Sequence, residues 1–154
     1  AGFVKDNRGL TYYLDEKGNK VLGLHEINGD LYYFRRGGAY KYTQLGDMWQ
    51  DSINYIDGKI YYFGHDGRAI KNRFYQWGNY WYYFYADGSA ATGTVQINGQ
   101  QLYFDKNHGR QVKGAFAPDG HYYDENSGEL VTNQTRTIKG VTYHFDENGN
   151  ATKV

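Results

Sequence analysis

The residues best equipped for chemistry in this chain are aromatic rings with amides and ammonium groups between them. Eighteen tyrosines, eight phenylalanines and three tryptophans make 19% of the 154 residues aromatic. Most stand in short runs: Thr11-Tyr12-Tyr13-Leu14, Leu31-Tyr32-Tyr33-Phe34, Ile60-Tyr61-Tyr62-Phe63, Trp81-Tyr82-Tyr83-Phe84, Gln101-Leu102-Tyr103-Phe104, His121-Tyr122-Tyr123 and Thr142-Tyr143-His144-Phe145. In and between them lie Gln96, Gln101, Lys71 and Lys113. A ring offers its face to C–H groups or to a cation. Glutamine supplies a donor and an acceptor, and lysine supplies donors. This chemistry recognises a ligand with an apolar face and a polar rim.

Bond-breaking chemistry has no comparable set of residues. Catalysis needs convergent groups, such as paired carboxylates or a nucleophile with its base. The carboxylates here collect at glycine-containing turns, and no Gly-x-Ser-x-Gly elbow occurs. Cysteine is absent, and His25, His65, His108, His121 and His144 lack metal-ligand spacing. His144 stands where other runs carry tyrosine and is expected to replace a packing aromatic. The stretches Asp15-Glu16-Lys17-Gly18-Asn19 and Asp146-Glu147-Asn148-Gly149-Asn150 hint at calcium, but they lack the twelve-residue loop and its closing glutamate. Turn chemistry accounts for them. No catalytic residue, metal or cofactor is therefore expected. Seventeen basic residues balance seventeen acidic ones, which argues against nucleic acid and acidic membranes as partners. No apolar run approaches a membrane span.

The elements that position these residues follow from an internal repeat. Gly9, Gly29, Gly58, Gly78, Gly99, Gly120 and Gly140 each precede an aromatic run, about 20 residues apart, with one longer step between Gly29 and Gly58. A second column follows at Gly18, Gly38, Gly67, Gly88, Gly109, Gly128 and Gly149. A third closes some units at Gly23, Gly93, Gly114 and Asn133. Aromatics favour strands, and Asp57-Gly58, Asn98-Gly99 and similar pairs supply the positive φ of tight hairpin turns. Each unit is thus expected to be one β-hairpin. A lone hairpin is marginal in water, so stability must come from stacking. The predicted fold is all-β: a β-solenoid of about seven stacked hairpins of roughly 20 residues, forming one module over residues 1–154. Residues 39–55, with Tyr40, Tyr42, Met48, Trp49 and Tyr55, interrupt the period as a longer arm or a degenerate repeat. The pattern runs to both ends, as in a piece of a larger protein.

Strand alternation sorts the rings into two faces. Tyr61 with Phe63, Tyr82 with Phe84 and Leu102 with Phe104 form the more uniformly apolar face, expected to be the core. Trp81 with Tyr83 and Gln101 with Tyr103 form the other, expected to meet ligands or neighbouring hairpins.

Two stretches carry a resemblance. Residues 81–93, Trp81-Tyr82-Tyr83-Phe84-Tyr85-Ala86-Asp87-Gly88-Ser89-Ala90-Ala91-Thr92-Gly93, resemble the repeat of bacterial glucan-binding and choline-binding wall modules. Ile97-Asn98-Gly99-Gln100-Gln101-Leu102-Tyr103-Phe104-Asp105, followed by Gly109-Arg110-Gln111-Val112-Lys113-Gly114, is similar to the glucan-binding domain of glucansucrases, which polymerise glucose from sucrose. The resemblance is strongest over residues 53–154. It implies a secreted, non-catalytic module that binds extracellular α-glucan, or isomalto-oligosaccharide, beside a separate catalytic core. By residue matching it gives Tyr83, Gln101 and Lys113 the sugar-contacting roles. Trp81, Gln96 and Tyr103 complete that candidate pocket. A weaker second pocket combines Tyr33, Tyr62 and Lys71, with Ile60 where the first has Gln101. The sixth unit departs from the pattern at His121, which disfavours a sugar pocket there.

Two other classes remain open. A choline-binding wall anchor would use a tryptophan-rich cage, but only Trp49, Trp77 and Trp81 are present and none follows a glycine. A structural spacer or protein-interaction solenoid would need no pocket. A monomer is expected, or weak self-association through open sheet edges.

Overall fold

The computed structural model describes residues 1–37 and 45–154. Among these residues fifteen strands pair into seven small sheets, and no helix forms. Six of the sheets are single hairpins, and the last carries a third strand. β1 (Gly2–Lys5) pairs with β2 (Thr11–Leu14), β3 (Gly23–Ile27) with β4 (Asp30–Phe34), and β5 (Ser52–Ile56) with β6 (Lys59–Phe63). β7 (Arg73–Trp77) pairs with β8 (Tyr80–Phe84), β9 (Gly93–Ile97) with β10 (Gln100–Phe104), and β11 (Ala115–Phe116) with β12 (Tyr122–Tyr123). The last sheet joins β13 (Gln134–Ile138), β14 (Val141–Phe145) and β15 (Ala151–Lys153). The all-β repeat of hairpins expected from the sequence is what forms. Gly38, Tyr40 and Tyr42 lie outside the described residues.

The chain gathers into two compact units, Ala1–Arg73 with Phe84–Ser89, and Phe74–Tyr83 with Ala90–Val154. The same local rules build both. Asn98 and Gly99 have φ of 54° and 79°, the paired positive values of a two-residue hairpin turn. The second-column turns use aspartate as a local cap. Asp15 accepts from the backbone N–H groups of Lys17 and Asn19, and Asp146 from those of Asn148 and Asn150. The two stretches that hint at calcium therefore spend a carboxylate oxygen on their own backbone.

The third column is more complete than the sequence suggests. Asp51 (φ 55°) and Asn72 (φ 56°) stand 21 residues apart and 21 before Gly93, in the same left-handed conformation as Gly23, Gly93, Gly114 and Asn133. This column redirects the chain from one unit to the next. The sequence reading placed the three glycines and Asn133 in this column but not Asp51 or Asn72, because Asp and Asn also serve ordinary turns.

Between second and third columns each unit closes with a short segment that ties two hairpins together. In the first unit Ile70 N–H donates to the Tyr62 carbonyl of its own hairpin, and Ala69 N–H to Leu31 of the preceding one. In the second unit Val112 N–H donates to Tyr103 and Gln111 N–H to Trp81, both at 2.8 Å. Val131 to Tyr122 and Leu130 to Gln101 repeat the pattern. Met48 and Trp49 make the same closure to Thr11 and Tyr33, so the end of the irregular stretch is a regular closing segment.

The core face is as expected. Tyr61, Phe63, Tyr82, Phe84, Leu102 and Phe104 are all 6% exposed or less. The other face is more covered than expected. Tyr33, Tyr62 and Tyr103 are also buried, because the next closing segment packs over them. His144 differs from its predicted packing role: it is exposed and shares a hydrogen bond with Thr135 Oγ1.

Candidate binding site

The best-formed candidate lies in the second unit and starts from Trp81 on β8. The closing segment after β10 is clamped between two carbonyls, Trp81 and Tyr103. Val112 turns inward beside Tyr103 and Tyr123. Alternation sends Lys113 the other way, and its Nζ sits 5.3 Å from the centroid of the Trp81 ring. The ammonium also donates to the Asn126 carbonyl at 3.3 Å. Gly114 (φ 68°) then turns the chain away, where a Cβ would stand 3.1 Å from Glu125 Cβ. Tyr83, two residues after Trp81, is half-buried. It packs beside Ala91, Ile97, Leu102 and Phe104 and meets Phe74 edge-on at 4.8 Å. Phe74 on the first strand was not singled out from sequence; the signal is that cross-strand partners share a face.

Gln101 occupies the column of Trp81, one hairpin later. Its Nε2 donates to the Tyr123 hydroxyl at 3.2 Å. That hydroxyl donates to Asp119, which also accepts from Thr94 Oγ1 at 2.8 Å. The amide is thereby oriented: Nε2 is spent inward, and Oε1 remains as an acceptor. Burial pushes the Tyr123 phenol up to about 12, and the bond to Asp119 adds to it. Burial alone would raise Asp119, but hydrogen bonds from Tyr123, the His121 N–H and Thr94 hold its carboxyl below the usual range. Gln96 is the register partner of Gln101 across β9–β10 and is exposed. Tyr103 lies opposite Thr94 but is 3% exposed, packed with Ala117 and Tyr123. Of the six predicted residues, Trp81 and Lys113 meet directly. Gln101 joins the following hairpin, and Tyr103 presents almost no ring surface.

The second predicted pocket is divided. Tyr33 (8% exposed) stacks 4.1 Å from Trp49, and Tyr62 is 6% exposed. Lys71, the counterpart of Lys113, lies instead beside Leu31, the counterpart of Trp81. Its Nζ donates to the Gly29 carbonyl at 2.7 Å and lies 3.5 Å from Asp30. A cavity of about 340 Å³ opens there, lined by Leu24, Leu31, Tyr61, Lys71 and Asp87 among others. In the third such position Gln101 and Thr132 stand in the columns of Trp81 and Lys113, which supplies neither a ring nor a cation. Among the described residues cations also lie over Tyr12 (Lys20, 4.0 Å) and Tyr80 (Arg110, 4.1 Å), but Trp81 with Lys113 is the pair that joins a ring to the cation of the following closing segment.

Comparison with known proteins agrees with this architecture. Residues 91–134 match the choline-binding repeat family. Residues 1–20, 72–90 and 136–151 match the cell wall binding repeat family. Glucosyltransferase-S of Streptococcus mutans is 39% identical over 97% of the chain, which spans 10% of that protein. Glucosyltransferase-I of Streptococcus downei is 36% identical over 97% of the chain, which spans 9% of it. The crystal structure of choline binding protein F from Streptococcus pneumoniae superposes with a TM-score of 0.78 at 28% identity, covering 98% of this chain and 47% of that one. Residues 1–20, 72–134 and 136–151 thus match choline-binding and cell wall binding repeats, and the chain is similar to a segment about a tenth as long as the streptococcal glucosyltransferases.

Proposed function

We propose that this module binds extracellular α-glucan of the dextran type, with Trp81 as the stacking platform and Lys113 as the hydroxyl donor. The observation that carries the reading is the lysine ammonium over the Trp81 ring. A glucosyl residue has a C–H face that packs on an indole and a hydroxyl rim that takes hydrogen bonds from an ammonium. A choline headgroup is itself a cation that seeks a ring face. With Lys113 already over the indole, a second positive charge is repelled. The choline reading is therefore weaker at this site, although the fold is shared with choline-binding proteins. Glucosyltransferases, the relatives similar over nearly the whole chain, handle glucosyl units, which fits the sugar reading.

Gln101 Oε1 extends the site as an acceptor for a further hydroxyl, with exposed Gln96 as its cross-strand partner. One shallow platform binds weakly, since few ligand atoms are buried. A repeated module meeting a long polymer gains from effective concentration. Such a ligand places the module outside the cell. The test is electrophoresis through native gels containing dextran, with free choline as the control ligand. Dextran should retard the parent, and Trp81→Ala and Lys113→Ala should migrate freely while retaining the parent's circular dichroism. A parent that dextran does not retard, or whose retardation free choline abolishes, would overturn the reading.

A further inference from the structure

The sixth hairpin is truncated. Nineteen residues separate Gly109 from Gly128, against 21 between Gly88 and Gly109. Only Ala115↔Tyr123 and Phe116↔Tyr122 pair across β11 and β12, where β9 and β10 have five pairs. The missing turn residues include the counterpart of Ile97, a buried member of the fifth hairpin. Ile138 and Tyr143 of the seventh hairpin pack partly against Tyr122, Val131 and Phe145 and line a groove of about 360 Å³. That volume falls in the range of small-ligand pockets, about 300–1,000 Å³. The groove is lined by Phe116, Tyr122, Tyr143, Ile138, Val141 and Lys139, with the backbone at Gly114 and Ala115.

Two features mark this groove as more than a packing defect. Phe116 is 41% exposed and held upright by edge contacts with Tyr122 and Tyr143, at 5.2 and 5.3 Å and interplanar angles near 65°. It is a fixed ring with its surface open. Lys139 lies in the turn with φ of 49°, a left-handed conformation that a lysine adopts only at a cost. Asn28 and Asn98 fill the same turn position in other hairpins, at φ 53° and 54°. A strained residue with a better-suited alternative points to a role for its side chain.

We propose that the groove between the sixth and seventh hairpins is a second saccharide subsite, separate from the Trp81 site. It takes one pyranose of the same glucan, with its C–H face on Phe116 and a hydroxyl on the Lys139 ammonium. The lysine at the rim of an aromatic groove disfavours a quaternary cation by charge, as at Trp81. The inference rests on the glucan reading for the class of ligand, but it concerns residues the Trp81 site does not use.

The test is a backbone-amide NMR titration of the full chain with isomaltotriose, in the parent, Trp81→Ala and Lys139→Asn. Lys139→Asn restores the turn residue of the other hairpins and should raise the unfolding midpoint while weakening the groove. The expected result is two sets of shifts in the parent. The set at residues 114–116 and 138–143 should survive Trp81→Ala and lose at least threefold in affinity in Lys139→Asn. If Trp81→Ala abolishes every shift, the groove is not a subsite, while the main reading stands. If isomaltotriose shifts nothing in the parent, both readings fall. Groove shifts that appear with choline alone, or that follow protein concentration rather than sugar, assign it to a cation or to a second copy and overturn the proposal.

Discussion

Removing one hydroxyl, by Tyr123→Phe, tests the network behind the site. Tyr123 is fully buried, and its hydroxyl donates to Asp119 while accepting from Gln101. A hydrogen bond to a charged group contributes about 1.5–3 kcal/mol and a neutral one about 1 kcal/mol. Asp119 and Gln101 are only half-buried, so water restores part of what they lose. The expected destabilisation is about 2 kcal/mol at neutral pH. The pH dependence gives an independent check. A phenol raised to about 12 in the folded state, against an ordinary value near 10, adds stability that is complete below pH 10. That stability is lost as pH rises from 10 through 12, and its full size is about 2 to 3 kcal/mol, set first by the cost of burying the phenolate and then by the bond to Asp119. Urea unfolding followed by tryptophan fluorescence, from pH 7 to 11, reads both quantities. The variant should start less stable, and the gap should narrow above pH 10. A variant within about 0.5 kcal/mol of the parent, or a gap that stays constant with pH, would refute the network. Freed from Tyr123, the Gln101 amide can rotate, so isomaltotriose affinity should also fall about three- to tenfold, the equivalent of roughly one hydrogen bond.

Other consequences follow from single positions. The Asp124 carboxyl is drawn down to about 2, chiefly by the backbone N–H groups of Ser127 and Asn126, with a contribution from Arg136. Its stabilisation is present above the ordinary carboxylate value and lost as pH falls towards 2. Asp124→Asn should therefore lower stability by about 1 to 2 kcal/mol at pH 7 and by a small fraction of that at pH 2, where half of the carboxyl is already protonated, by denaturant titration. Gly140 and Gly149 share φ near 80°, but a Cβ at Gly140 meets open space while one at Gly149 stands 2.7 Å from Leu130 Cδ1. Gly140→Ala should cost about 1 kcal/mol, and Gly149→Ala about 1–3 kcal/mol more. Lys71→Ala should leave dextran retention near that of the parent, because Leu31 stands where a platform ring is needed; a loss as large as that of Lys113→Ala would place the site elsewhere.

The hairpin repeat could be read from the sequence because its signals are local. Asn98-Gly99 fixes a turn whatever surrounds it, and the alternation of Leu102 and Phe104 names the core face without knowledge of neighbours. The site was harder to read because it depends on which hairpin lies against which. Tyr33, Tyr62 and Tyr103 have the composition of platforms, yet the following closing segments bury them. Lys71 and Lys113 occupy one column, and only the residue one hairpin earlier, Leu31 or Trp81, separates their surroundings. Asp51 and Asn72 join the third column only through their φ values, since neither residue type marks that conformation by itself. The shortening of the sixth hairpin lies within the variation of a period of about 20 residues and was not read from the sequence, and the groove depends on Ile138 and Tyr143 of the next hairpin.

The most direct test of the central claim is a crystal structure of this chain grown with isomaltotriose and an equal concentration of choline. The account predicts a glucosyl ring lying on the Trp81 indole, with a hydroxyl within hydrogen-bonding distance of Lys113 Nζ and no choline there. Choline on Trp81, with the sugar absent from that ring, would contradict it.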